Sequence, residues 1–443
     1  MQDDFDAIVL GGGSAGLAFS KQAAAHGASV LLVERNNLGG TCVNRGCVPK
    51  KMMWAVADAL RTQRGLLGEG IIDGAVSLDM KSMTRKRDAR ISEIILRFGD
   101  ELSDRGITRL TGTATMMSPG QVSVGDRLYH TDRIVMATGA RPSPLDIPGA
   151  ELTQTSDDVF GWTSAPARLV VIGAGYIGTE MAAIFHALGS DVVLVSDGAA
   201  VLSEFSPASQ SIAAENLAAS GVRIETQTVP RRIEGEGTDL IVYLDNGEVL
   251  QATHVLNATG RDPNVDAFGD LEVPRTAQNG ALHVNEQFET SMPGVYAIGD
   301  IADRLPLTPV AREDGDTLAR QLFDTPDITP IDLELVSTTA FVFPPIGEAG
   351  DTSGARDITR FTAMETILQD TSTQEGWAIS TSEKGALNGI AVTGHAAAEA
   401  ASWGAHVIEA GQDGDRAAKA TAVHPSAAEE PLGSLVRCRR RLP

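Results

Sequence analysis

Asp6-Ala-Ile-Val-Leu10-Gly11-Gly-Gly13-Ser14-Ala-Gly16 is the stretch that decides the fold. Residues 6–10 read as a buried strand, apolar from Ala7 to Leu10. The glycines follow directly, and helical patterning then runs to about His26. A second apolar run, Ala28 to Val33, closes on Glu34, 23 residues after Gly11. Strand, glycine turn, helix, strand and terminal acid form the dinucleotide fingerprint. Gly11, Gly13 and Gly16 let the backbone approach a pyrophosphate, the helix N-terminus attracts it, and Glu34 accepts from ribose hydroxyls.

The pattern occurs twice. Leu169-Val-Val-Ile172-Gly173-Ala-Gly175-Tyr176-Ile-Gly178-Thr-Glu180 opens a second unit, with a helix to about Leu188 and a strand from Asp191 to Val195. Two bound dinucleotides are therefore predicted. The position 23 residues after Gly173 is Ser196, followed by Asp197, and the loop 196–206 contains no Lys or Arg. A 2′-phosphate needs a basic partner there, whereas Asp197 suits a 2′-hydroxyl, so NADH is expected in preference to NADPH. Ala137-Thr138-Gly139 and Ala258-Thr-Gly260-Arg261 are matching strand ends in the two halves. Val295-Tyr-Ala-Ile-Gly299-Asp300 is a further buried strand whose Asp either holds a cofactor hydroxyl or caps the next segment.

Two of the three cysteines fall in Gly39-Gly-Thr41-Cys42-Val-Asn-Arg-Gly-Cys47-Val-Pro-Lys50-Lys51. Five residues of regular helix advance about 7.5 Å and turn the side chains apart, so a Cys42–Cys47 bridge needs a distorted helical turn. Strained bridges are the reducible ones. A static bridge, a zinc half-site or idle thiols are the other readings, and a pair in a chain without secretory features leans toward catalysis. No metal site is expected.

The 443 residues predict two to four domains, and 42% apolar with 21% charged residues is ordinary for a folded globular chain. A net charge of −22, from 58 acidic against 36 basic side chains, argues against nucleic acid or an anionic membrane surface as partner. Neither a signal peptide nor an apolar run of membrane-spanning length is visible, so the expected location is cytoplasmic.

Residues 52–64 and 81–105 have helical patterning, and 107–136 reads as a β-rich insertion. The Pro- and Ser-containing run 141–166 reads as the crossing into a second domain. Residues 325–443 read as a separate α+β domain, with a Thr- and Val-rich segment at 336–343, polar loops at 350–375 and Ala-rich helices at 396–404 and 415–420. Near its end His424 stands five residues before Glu429. That spacing suits an oriented acid/base, although local sequence alone favours a plain surface histidine. The tail Arg437-Cys438-Arg-Arg-Arg441 reads as a solvated end.

Taken together the motifs resemble the class I, flavin-dependent pyridine nucleotide–disulfide oxidoreductases, and among their branches glutathione reductase. The resemblance rests on Gly40 to Trp54 with its Pro-Lys-Lys, Leu307-Thr308-Pro-Val310, Phe343-Pro-Pro-Ile-Gly347, Phe361-Thr-Ala-Met364 and His424-Pro-Ser-Ala-Ala-Glu429. It implies an α/β fold with two Rossmann-like dinucleotide-binding domains and a C-terminal α+β dimerisation domain. In this chain the segments would be 1–145 and 266–325 for FAD, 146–265 for the nicotinamide nucleotide and 326–443 for the interface of a homodimer.

By the same resemblance Ser14 and Glu34 hold the FAD phosphate and ribose and Asp300 the ribityl or pyrophosphate region, with Thr41, Thr138, Gly139, Arg261 and Thr308 as further cofactor-binding residues. Gly173, Gly175, Tyr176, Gly178, Asp197 and Gly260 line the nicotinamide site, with Tyr176 as its lid. Lys50 and Glu180 pair beside the flavin. Cys47 faces the flavin, Cys42 attacks the substrate disulfide, and His424 of the partner subunit, oriented by Glu429, protonates the leaving thiol.

Three positions depart from the glutathione reductase pattern. Lys21 replaces an Arg that meets a glutathione carboxylate, keeping the charge but losing the bidentate fork. Phe98 replaces a Tyr, and Asp316 replaces a second substrate-binding Arg. One like charge at about 4 Å costs roughly 4 kcal/mol at an effective dielectric near 20, before screening. A small disulfide other than, or in addition to, glutathione disulfide is therefore expected, with zwitterionic, cationic or neutral end groups, unless Arg312 compensates. The alternatives are a true glutathione-disulfide reductase and a redox-sensing flavoprotein of little turnover. The missing C-terminal Cys pair argues against mercuric reduction and against a relay through the lone Cys438.

Overall fold

Short apolar strands followed by glycine turns and helices give the described residues eight α-helices: α1 (Ser14–Ala25), α2 (Gly40–Arg45), α3 (Cys47–Gly68), α4 (Met80–Asp104), α5 (Tyr176–Ala187), α6 (Pro207–Ser220), α7 (Thr308–Phe323) and α8 (Ala397–Glu409). The computed structural model describes residues 3–273, 275, 280–302, 304–353, 358–361, 368, 375–381, 387–411, 423–426 and 429. The chain divides into two units. The first is Met1–Lys50, Arg85–Ser143 and Arg261–Leu333, and the second is Lys51–Thr84, Pro144–Gly260 and Glu334–Pro443.

The first unit is built on a five-stranded parallel sheet in the order Val295–Ala297, Ile134–Met136, Ala7–Leu10, Val30–Glu34, Thr108–Thr111. Parallel strands are covered on both faces, and the alternation of side chains shows how. Ala7, Val9, Leu32 and Val135 pack with Leu17 and Phe19 of α1 and Leu318 of α7. Ile8, Leu10, Leu31 and Ile134 pack with Met116, Val122 and Tyr129 of the antiparallel sheet formed by Ala114–Ser118, Gln121–Val124 and Arg127–His130.

The second unit repeats the plan. Its parallel sheet runs Arg223–Glu225, Asp191–Val195, Arg168–Ile172, His254–Asn257, Gln154–Thr155. Leu169 and Val171 face Ile184 and Phe185 of α5, while Val170 and Ile172 face Leu240, Val242 and Leu250 of a second three-stranded antiparallel sheet. Each half thus holds its glycine turn at the carboxyl end of a central strand, where doubly wound sheets bind ligands.

The stretch 141–166 does more than cross between domains. Ala140–Pro142 pairs with Arg261–Pro263, and Gln154–Thr155 is the edge strand of the second parallel sheet. Within the second unit, Thr338–Ala340, Ile346–Gly350, Leu387–Thr393, Glu375–Thr381 and Thr359–Phe361 form an antiparallel sheet. Helix α8 packs on it and runs further than the predicted 396–404 because Ala397, Ala401, Gly404 and Val407 continue one buried face. The expected helix at 415–420, residues 362–364, Cys438 and the Arg-rich tail lie outside the described residues.

Candidate active site

In the first unit the glycines are required by contact. Gly11 has φ +110°, and a Cβ there would stand 2.3 Å from the carbonyl oxygen of Ala137; at Gly16 it would stand 2.0 Å from the carbonyl oxygen of Gly11. Gly13 is different, since a Cβ there would meet only the Cα of Gly40, at 3.7 Å. It leaves room at the head of α1, whose N-terminus has no side-chain cap. The Gly12 N–H donates to Glu34 Oε2 at 2.7 Å, which fixes that carboxylate beside the turn. An uncapped helix start, an open glycine and an adjacent acid fit a pyrophosphate and its ribose.

The rest of the first site gathers around this cradle. Thr138 Oγ1 donates to the Asn264 carbonyl at 2.6 Å, and Asn264 Nδ2 donates back to the Thr138 carbonyl at 3.0 Å, which holds the turn ending at Gly139 (φ +65°). Arg261 donates to Thr41 Oγ1 at 3.4 Å and to the Ala140 carbonyl at 2.6 Å. Asp300 sits in the turn Gly299–Ile301, where burial pushes its carboxyl upward and the Arg261 charge pulls it back. It accepts no hydrogen bond from the described residues, which suits a carboxyl that receives cofactor hydroxyls.

The cysteine stretch is helical with one break. Cys42 lies in α2 and Cys47 starts α3, while Gly46 between them leaves the helical conformation, at φ −150° and ψ −120°. A Cβ on Gly46 would come within 3.0 Å of the Thr41 carbonyl oxygen. This is the distorted turn that a five-residue bridge requires. Both cysteines are thiols here, Cys42 half-buried and Cys47 exposed. Cys47 Sγ lies 3.4 Å from Thr308 Oγ1, at the start of α7. The hydrogen bond to Cys47, then burial, pushes the Cys42 thiol far up.

Along α7 from Thr308 stand Arg312, Asp316 and Arg320, spaced four residues apart. Asp316 is half-buried; desolvation raises its carboxyl and the charges of Arg312, Lys21 and Arg320 lower it. Lys21 of α1 places its ammonium 4.8 Å from the centroid of the Phe98 ring and forms an ion pair with Glu101. Glu101 carries no local motif, and the sequence gives it no role.

In the second unit Gly173 and Gly178 repeat Gly11 and Gly16. A Cβ on Gly173 (φ +102°) would lie 2.4 Å from the Ala258 carbonyl oxygen, and one on Gly178 would lie 1.8 Å from the Gly173 carbonyl oxygen. Gly175 starts α5 without a side-chain cap, and Gly260 has φ +146°. Ser196 is buried and its Oγ accepts from the Gly198 N–H at 3.2 Å, which leaves Asp197 exposed at the strand end. Glu225 pairs with Val195 across the sheet, and the guanidinium of Arg223 is taken by Glu225 and Glu248.

Two contacts from the 338–341 segment reach predicted site residues on α5. The Phe341 N–H donates to Glu180 Oε1 at 2.8 Å, and Tyr176 Oη is hydrogen-bonded to Thr338 Oγ1. Glu180 is buried, and burial pushes the Tyr176 phenol above its ordinary range. Lys50, also buried, belongs to the first unit and Glu180 to the second. His424 Nδ1 lies 2.9 and 3.0 Å from the two carboxylate oxygens of Glu429, whose pKa is held down by that bond and by the Ser426 N–H. His424 is thus oriented, and its Nε2 has no hydrogen bond to the described residues.

The family model for pyridine nucleotide-disulphide oxidoreductases matches residues 5–315. The chain is similar to the glutathione reductase of Nostoc sp., 35% identical over 366 residues that cover 79% of each protein. It is also similar to the glutathione reductases of Burkholderia cepacia, 35% identical over 78% of this chain and 77% of that one, and of Schizosaccharomyces pombe, 33% identical over the same shares. No helix among the described residues is long and apolar enough to cross a membrane. With its two glycine cradles, its cysteine pair and this likeness along most of its length, the chain belongs to the pyridine nucleotide–disulfide oxidoreductases and is a flavoprotein NAD(P)H:disulfide oxidoreductase.

Proposed function

We propose that the protein is a cytoplasmic, homodimeric reductase of a small disulfide, preferring NADH and differing from glutathione reductases in its choice of substrate. The observation that carries the reading is the broken helix that sets Cys42 beside Cys47 and Cys47 against the head of α7. FAD on the first unit, when bound, supplies the two-electron passage between nicotinamide and the cysteine pair. The four segments 1–145, 146–265, 266–325 and 326–443 serve as the flavin, nicotinamide, central and dimerisation parts, with Lys50 and Glu180 paired beside the flavin.

In the reduced pair the Cys42 thiolate attacks one sulfur of the substrate and forms a mixed disulfide. The leaving thiolate takes a proton from His424 of the partner subunit, which Glu429 orients. Cys47 then attacks Cys42, re-forming the Cys42–Cys47 bridge and releasing the second thiol. One NADH and one proton are consumed for each disulfide converted to two thiols. The exposure of the His424 side chain, 80%, supports a role against a second subunit rather than within its own.

Substrate choice falls to Lys21, Phe98 and Asp316. Asp316 stands where an Arg would grip an anionic substrate, and its half-burial strengthens the effect of its charge. Arg312 and Arg320 on either side of Asp316 favour a second reading, in which glutathione disulfide is retained as one substrate. NADH-linked turnover over glutathione disulfide and several other low-mass disulfides, repeated with Asp316→Arg, tests the assignment. The variant is expected to improve use of glutathione disulfide selectively; no change in that ranking would remove Asp316 as the determinant. No turnover with any disulfide would instead favour a redox-sensing role.

A further inference from the structure

The ammonium of Lys21 is engaged on two sides. Phe98 and Glu101 are three residues apart on α4 and project together; the ring centroid lies 4.8 Å from Lys21 Nζ, and the Glu101 carboxylate closes an ion pair with it. Both groups reach solvent, with 24% of the Lys21 side chain and 50% of the Glu101 side chain exposed. A carboxylate approaching Lys21 therefore meets a site in which another carboxylate already sits. The Lys21 charge also acts on Asp316, whose Arg neighbours are four residues away on its own helix.

We propose that Glu101 is a specificity-determining residue: it occupies Lys21 in place of a substrate carboxylate and biases the site toward disulfides with neutral or cationic end groups. This rests on the assignment above of the α1, α4 and α7 face to the substrate. Lys21 is held by Glu101, and Asp316 feels Arg312, Lys21 and Arg320, so pairing sets the preference. An anionic end group has to displace Glu101, whereas a cationic one leaves the pair intact and finds carboxylate oxygens of Glu101 and Asp316. An exposed ion pair is worth about 0.2–1 kcal/mol, which converts to a factor of roughly 1.4 to 5 in affinity.

The experiment is a calorimetric titration of the oxidised, flavin-loaded dimer without nicotinamide, so that no turnover occurs, using glutathione disulfide, cystamine and bis(2-hydroxyethyl) disulfide. Glu101→Gln is expected to tighten glutathione disulfide by about two- to fivefold, to weaken cystamine by a similar factor and to leave the uncharged disulfide unchanged. Raising the salt to about 1 M shrinks both effects. Flavin content and melting temperature equal to wild type exclude a folding defect. Binding of all three disulfides that Glu101→Gln leaves unchanged, or moves together, overturns the role of Glu101 alone. Failure of the wild-type enzyme to bind any of them overturns the assignment of the substrate face itself.

Discussion

Thr308 Oγ1 lies 3.4 Å from Cys47 Sγ, at the first residue of a 16-residue helix whose N-cap, Leu307, makes no side-chain cap. The positive end of the helix dipole and the Thr308 hydroxyl therefore stand at the same end as the thiol. An ionised Cys47 gains from both. One helix thus meets Cys47 at its start and carries Arg312, Asp316 and Arg320 further along.

Replacing Thr308 by Val should weaken that support. In the two-electron-reduced enzyme the pH midpoint of the long-wavelength thiolate band is expected to move upward by about 0.7 unit, the equivalent of one hydrogen bond of about 1 kcal/mol. A pH titration of the visible spectrum reads it, and the band should vanish altogether in Cys47→Ser.

Cys42 is the proposed nucleophile, yet its hydrogen bond to Cys47 and its burial push its thiol above the ordinary range. Its thiolate fraction rises with pH, so without a base it is unreactive near neutrality and recovers only in alkali. In His424→Ala, alkylation of Cys42 at pH 7 should fall at least tenfold and climb again with pH. Glu429→Gln should produce a smaller loss, because it misorients the imidazole without removing it.

The glycine contacts separate the two nucleotide sites. Gly178→Ala drives a methyl group into the Gly173 carbonyl, at 1.8 Å before any shift, whereas the first unit is untouched. The variant should purify with its flavin and lose nicotinamide affinity by tenfold or more. Gly16→Ala, with its 2.0 Å clash, should instead purify depleted of flavin.

At the end of the second sheet Asp197 is exposed, Glu225 lies across from Val195, and Arg223 is already bound to Glu225 and Glu248. A 2′-phosphate would meet carboxylates there. The Michaelis constant should be lower for NADH than for NADPH, and Asp197→Arg should narrow the gap by at least fivefold. A lower constant for NADPH in the wild type would contradict the reading of Ser196 and Asp197.

Much of this arrangement was legible from local pattern, because its signals are local. Strand, glycine turn, helix and strand recur at one spacing, so both cradles could be read from consecutive residues, and the break at Gly46 is the distorted turn that a Cys42–Cys47 bridge would need. Arg312 and Arg320 around Asp316 follow from helical periodicity. The contacts that tune the site were not legible. The Phe341 N–H on Glu180, Thr338 on Tyr176 and Glu101 on Lys21 join residues 161, 162 and 80 positions apart, and Phe341, Thr338 and Glu101 carry no motif. Topology brings them together, and a single sequence carries no trace of which carboxylate will reach which cation.

The central claim is that electrons from NADH come to rest on Cys42 and Cys47. Thiol-specific alkylation followed by peptide mass mapping, on the flavin-loaded enzyme before and after one equivalent of NADH without oxygen, tests it most directly. Both cysteines should be unlabelled in the oxidised enzyme and both labelled after NADH. Labelling that is the same with and without NADH would contradict the account.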